Sequence, residues 1–191
     1  MGKIFSLSGS KAVGKTTLIN GLRDTIPQLQ IREGFRQTET GYSLDIEEEF
    51  YINQRWYIER EIEEYYSFKK NEKPALLLRG PEDVEFYTLH YPFTKGYKWN
   101  VEKNLHTELE RLRKCRSDYI IYLDAPVDTI IGRKQNDITK PRKNMQNWME
   151  WWQPYIDIYM KAFDNTYVYE TKDKAANEVL EEITRWIKKR M

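Results

Sequence analysis

Residues Lys3-Ile4-Phe5-Ser6-Leu7-Ser8 run directly into Gly9-Ser10-Lys11-Ala12-Val13-Gly14-Lys15-Thr16, and this stretch decides the fold. The first part reads as a short strand. The second fits the spacing G-x-x-x-x-G-K-[ST], and Thr16 to Leu22 opens a helix that should stop before Pro27. The spacing has a chemical reason. Glycines let successive backbone N–H groups curl around a phosphate, and the helix start adds the positive end of its dipole. The stretch therefore predicts binding of a nucleotide's phosphates by Gly9, Ser10, Ala12, Val13, Gly14, Lys15, Thr16 and Thr17. Lys15 is expected to reach the β- and γ-phosphates, the Thr16 hydroxyl to ligate Mg²⁺, and Thr17 to meet the next phosphate.

Outward from this loop, strands and helices alternate. Gln28 to Arg32 reads as a short strand, Ile46 to Lys70 as a long charged helix, and Ala75 to Leu78 and Asp118 to Asp124 as strands buried on both faces. Helices are predicted over 101–116, 127–135, 145–163 and 174–189, with a last strand over 166–170. Such alternation implies a three-layer α/β fold, with a central parallel sheet and helices on both faces. The 191 residues suit one domain spanning the whole chain.

Composition narrows the function. With 31 Lys plus Arg against 30 Asp plus Glu, the net charge of +1 offers no global attraction to a nucleic-acid polymer or an anionic membrane, so phosphate binding must be local. Six Trp, fourteen Tyr and seven Phe supply core area in a chain whose mean hydropathy is -0.81. No apolar stretch is long enough to span a bilayer and the start has no signal-peptide pattern, which gives a cytoplasmic protein as the expectation. Cys115 is the single cysteine and excludes an internal disulfide. No Asn-Lys-x-Asp run reads guanine, and no acid-rich strand or basic track suits a nucleic-acid translocase. A compact kinase remains.

Several further matches occur in order. Arg32-Glu33-Gly34 follows the second strand, Phe50-Tyr51-Ile52-Asn53-Gln54 lies on the next helix, and Arg79-Gly80-Pro81 leaves the third strand. Leu123-Asp124-Ala125-Pro126 precedes Gly132-Arg133-Lys134 and Lys140-Pro141-Arg142-Lys143. With the phosphate loop, these make the chain resemble the P-loop nucleoside and nucleoside-monophosphate kinases, in particular the deoxynucleoside kinase and thymidylate kinase branch. The resemblance implies a P-loop NTPase fold with a basic lid over about residues 132–145 and a phosphoryl transfer from ATP with Mg²⁺. The acceptor is expected to be a nucleoside or nucleoside monophosphate. It casts Glu33 as general base or hydroxyl anchor, Tyr51 and Gln54 as acceptor-binding residues, and Arg79, Arg133 and Arg142 as cations on the transferring phosphate.

One position departs from that pattern. Leu78 stands where the branch carries an acid before its strand-three Arg, so either Asp83, Glu82 or Asp124 takes over, with Asp83 first as a metal-side carboxylate, or Mg²⁺ is held only by Thr16, water and phosphates. A kinase of another small alcohol, such as an antibiotic or a vitamin riboside, and a nucleotide-binding regulator without transfer activity stay open, as does a homodimer. The aromatic run Trp148, Trp151, Trp152, Tyr155 and Tyr159 is read as packing.

Overall fold

The computed structural model describes residues 2–34, 39–135 and 145–191. In chain order the elements are β1 (Ile4–Gly9), α1 (Lys15–Thr25), β2 (Gln30–Arg32), α2 (Glu47–Lys70), β3 (Ala75–Leu78), α3 (Pro81–Thr94), α4 (Val101–Asn104) and α5 (His106–Arg113). They continue as β4 (Tyr119–Asp124), α6 (Val127–Gln135), α7 (Met145–Trp151), α8 (Gln153–Lys161), β5 (Thr166–Glu170) and α9 (Ala176–Lys188). The strands pair in parallel in the order β2-β3-β1-β4-β5, with Leu7 opposite Leu78 and Gly9 opposite Leu123. Strand carboxyl ends are thereby aligned along one edge, where open parallel sheets form their crevice.

Period-2 alternation in β1 assigns its side chains to two cores. Phe5 and Leu7 join Leu18, Leu22, Ile183 and Ile187 beneath α1 and α9. Ile4 joins Ile58, Ile62, Leu105, Leu109 and Leu112 beneath α2 and α5. Ser6 and Ser8 share the second face and are buried, so each needs a polar partner there. The first turn of α3 supplies both, since Ser6 Oγ donates to Glu82 at 3.0 Å and Ser8 Oγ to Asp83 at 2.8 Å.

Three expectations change. The stretch after Arg79, where the sequence pattern predicts no element, is a helix with Pro81 in its first turn, where a missing N–H costs nothing. The predicted helix over 101–116 breaks at Leu105, whose side chain is fully buried, and that over 145–163 breaks at Trp152, just before the proline-started α8. Residues 132–135 of the expected lid lie within α6 and Met145 opens α7, while residues 136–144, with Lys140, Pro141, Arg142 and Lys143, lie outside the described residues. Trp148 and Trp152 stack at 5.6 Å between ring centroids, in the packing role expected of them. No helix among the described residues is long and apolar enough to cross a membrane.

Candidate active site

The loop between β1 and α1 has the backbone a phosphate cradle needs. Gly9 has φ +132°, and a Cβ there would meet the Leu123 carbonyl oxygen at 2.3 Å; Gly14, at φ +107°, is a glycine for its conformation alone. Helix α1 begins at Lys15, so its first N–H groups face the loop without intrahelical partners. Lys15 Nζ folds over the cradle, donating to Gly9 O at 2.7 Å and Ser10 O at 2.6 Å. Thr16 and Thr17 are exposed at the helix start.

Behind the loop lies a cavity of about 450 Å³ lined by Val13, Gly14, Thr17, Arg133, Thr171 and Lys174, among others. Its volume is that of a ligand pocket. Arg133 is latched across it, with Nη1 donating to Thr171 Oγ1 at 2.9 Å and Nη2 to Thr171 O at 2.5 Å.

A second cavity, of about 40 Å³, opens among the ends of β2 and β3 and the helices α2 and α3. Arg32, Gln54, Tyr57, Glu61, Arg79 and Asp83 line it. Arg79 adopts a left-handed φ of 63° as it leaves β3, which swings its guanidinium over the Tyr87 ring, 5.4 Å from the centroid. Gln54 is buried on α2, and its Oε1 accepts from Thr88 at 2.8 Å.

The three acids considered for the vacant role at Leu78 separate clearly. Glu82 is consumed by structure, since Oε1 accepts from Ser117 N at 2.7 Å and Oε2 from the Ser6 and Ser117 hydroxyls at 3.0 and 3.2 Å. Asp124 accepts from Ala125 N at 2.9 Å and from Lys161 at 2.6 Å. Asp83 alone of the three keeps a buried oxygen, Oδ2, with no hydrogen-bond partner among the described residues. Burial pushes its carboxyl up to about 6, against the Ser8 hydrogen bond and the charges of Arg79 and Lys15, which pull it down. Asp83 thus feels the fields of both the phosphate loop and the second cavity.

No three His, Cys, Asp or Glu side chains gather into a cation site among the described residues. A Mg²⁺ bound with a nucleotide needs less, because phosphate oxygens and water fill most of its octahedron. Of the two residues expected to hold it, Thr16 is exposed at the start of α1 and Asp83 keeps one oxygen without a partner among the described residues.

Two expected acceptor residues lie elsewhere. Glu33 is exposed and pairs with Arg23 Nη2 at 2.7 Å; neighbouring residues at a strand end point to opposite sides, so Arg32 enters the cavity and Glu33 does not. Tyr51 donates to Glu47 at 2.9 Å and accepts from Asn104 at 3.0 Å, away from the cavity that Gln54 lines. Tyr57, one helical turn beyond Gln54, and Tyr87 are the aromatics that line it. Arg142 lies outside the described residues. Glu61 and Arg32, which the sequence reading passed over as catalytic or binding groups, both face the cavity.

The sheet order and phosphate loop define a P-loop kinase fold. Deoxyadenosine kinase from M. mycoides with bound dATP shares 15% of its residues with this chain at a TM-score of 0.70, the match covering 97% of this chain and 99% of that one. Thymidylate kinase from Candida albicans shares 10% at a TM-score of 0.67, over 99% and 92%. The M. mycoides enzyme with the products dCMP and dCDP bound matches at 14% and 0.68, over 97% and 99%. No protein-family profile and no curated protein matches the sequence.

Gln54 gives a first test of the division into two cavities. Gln54→Ala should raise the acceptor KM about tenfold and leave ATP affinity unchanged, because the lost amide lines only the smaller cavity and an unpaired polar edge costs about 1–3 kcal/mol. Calorimetric titration of ATP beside acceptor kinetics separates the two; an equal loss on both sides would make Gln54 a packing residue.

Proposed function

We propose that the chain is an ATP- and Mg²⁺-dependent phosphotransferase whose acceptor is a nucleoside or nucleoside monophosphate. One observation carries the reading: a complete phosphate loop, closed by Lys15, stands beside a cavity where Asp83, Arg79 and Gln54 converge from three elements. ATP would lie with its phosphates on the loop and its base in the 450 Å³ cavity against Arg133. Thr16 and Asp83 would hold Mg²⁺, which when bound offsets charge on the β- and γ-phosphates. The Lys15 ammonium stabilises the charge on the transferring group, and Arg79, at the mouth of the acceptor cavity, meets that group or an acceptor phosphate from the opposite side.

The acceptor cavity must widen, since about 40 Å³ holds little more than a water or two. A monophosphate acceptor needs no base. A hydroxyl acceptor would draw on Glu33 only if that side chain left Arg23. The small volume gives one specific reason to keep a second reading, a nucleotide-binding regulator that transfers nothing.

The deciding experiment follows ATP consumption and product mass against a panel of ribo- and deoxynucleosides and their 5′-monophosphates, with and without EDTA. Metal-dependent transfer to at least one acceptor is expected. ATP binding with no transfer to any of them would replace the kinase by the regulator.

A further inference from the structure

The long charged helix α2 presents one acid where an apolar side chain would be expected. Gln54, Tyr57, Ile58, Glu61, Ile62 and Tyr65 share its buried stripe at helical spacing. Glu61 has no exposed surface. Its Oε1 accepts from Arg32 Nη2 at 2.5 Å, and Arg32 Nε lies 3.1 Å from Glu64, which is the more exposed of the two acids. Glu61 Oε2 has no hydrogen-bond partner among the described residues, although it is buried and the side chain lines the acceptor cavity.

Fold stability does not account for a carboxylate here. A buried ion pair is often no more stable than apolar residues of its size, and one with an orphaned oxygen is worse. Burial already pushes the Glu61 carboxyl up to about 7, and only the neighbouring Arg32 charge opposes it strongly. Such a group is retained at a cost that a ligand donor would relieve. Gln54 lies two helical turns away on the same stripe and can still offer an amide N–H, its carbonyl being held by Thr88. The cavity wall therefore presents a hydrogen-bond acceptor and a donor together.

We infer that Glu61 is a specificity-determining residue of the acceptor cavity, which reads an uncharged N–H or O–H group of the acceptor through Oε2. The inference rests on the acceptor reading above. The donor is either an exocyclic amino group of a base or a hydroxyl of the sugar. Both present the same chemistry to a carboxylate, and neither a phosphate nor an apolar edge does. Arg32 fixes the carboxylate by holding Oε1, so it acts as a positioning residue.

The test uses the full chain and titrates, by calorimetry without ATP, adenosine against purine riboside, cytidine against its 4-deamino analogue, and each nucleoside against its 2′,3′-dideoxy form. Loss of the group that Glu61 reads should weaken binding to the unmodified protein at least tenfold, and the arm in which this occurs identifies base or sugar. The double variant Arg32→Met/Glu61→Leu removes both charges of the buried pair, and Glu64, the more exposed acid, keeps Arg60 at 4.0 Å. It should bind the paired compounds equally while its affinity for ATP stays as it was. If that variant fails to unfold cooperatively, Glu61→Gln, which keeps an acceptor for Arg32 and turns an NH₂ group toward the cavity, should abolish the same discrimination. Equal binding of every pair by the unmodified protein, or discrimination that persists in the variants, overturns the inference. Discrimination without phosphoryl transfer overturns the kinase and leaves Glu61 its role. Transfer with unaltered discrimination does the reverse, and failure of every nucleoside and of every nucleoside 5′-monophosphate to bind overturns both.

Discussion

Lys15→Met should reduce phosphoryl transfer by at least about 10²–10³-fold while the protein still unfolds in one cooperative transition. The size follows from where the ammonium sits. Its Nζ donates to Gly9 O and Ser10 O, the carbonyls at the entrance of the phosphate loop, and a triphosphate placed on the loop takes over that position. The charge is already oriented where the β- and γ-phosphates would gather negative charge, so little reorganisation is needed during transfer. The fold depends on it weakly. Lys15 is half-buried at the first residue of α1, whereas Leu18, Ile19 and Leu22 carry that helix's packing, so two hydrogen bonds at a wet loop contribute on the order of 1 kcal/mol. Transfer kinetics, ATP titration and thermal unfolding of the same preparation check all three parts. Full activity in the variant would remove the kinase mechanism, whatever acceptor is used.

How far the sequence predicts this arrangement depends on whether an element is amphipathic. The loop and α1 are legible because a strand, two glycines and a helix start coincide with one motif. β3 and β4 are legible as continuous apolar runs, and the Leu105, Leu109 and Leu112 stripe is legible because its opposite face is charged. Helix α3 is not legible by periodicity, since Glu82, Asp83, Val84, Glu85, Phe86 and Thr88 are all buried between neighbouring helices and the sheet. Its start signal was present in Pro81 followed by two acids, and Ser6 and Ser8, placed on one face of an otherwise apolar strand, announced that polar partners would come.

The site residues follow the same division. Positions fixed by the chain's own turns reach the loop or the smaller cavity: Lys15 folds over the former and Arg79 lines the latter. Positions inferred from neighbouring letters do not, because adjacent side chains diverge: Arg32 faces the acceptor cavity in place of Glu33, and Tyr57 in place of Tyr51. Glu61 was hidden among Glu59, Glu63 and Glu64, which read as a solvated charge run. Only its helical register with Ile58, Ile62 and Tyr65 distinguishes it.

Asp83→Asn should lower kcat and kcat/KM together by about 10²-fold and, unlike most losses of function, make the metal-free protein more stable at pH 8. The activity side rests on the spare Oδ2, the one orphaned oxygen among Glu82, Asp83 and Asp124, set between the fields of Lys15 and Arg79. An amide there can still accept from Ser8 but brings no charge to the phosphates or to Mg²⁺. The stability side follows from burial. Asp83 is 2% exposed, and its carboxyl titrates near 6 in the folded chain against an ordinary value of 3.8, so the folded state holds the proton more tightly than the unfolded state does. The sign is then fixed: the Asp83 contribution is most favourable below about pH 3.8 and is lost as pH rises through about 6, reaching a cost on the order of 3 kcal/mol. Asparagine carries no such dependence. With EDTA present, the variant should therefore melt several degrees above the parent at pH 8, and the gap should close as pH falls toward 4. A variant that keeps its activity would take Asp83 out of the phosphate chemistry. One that melts lower at pH 8 would mean that the ionised carboxylate is held favourably by Arg79 and Lys15, and its spare oxygen would no longer mark a site kept at a cost to the fold.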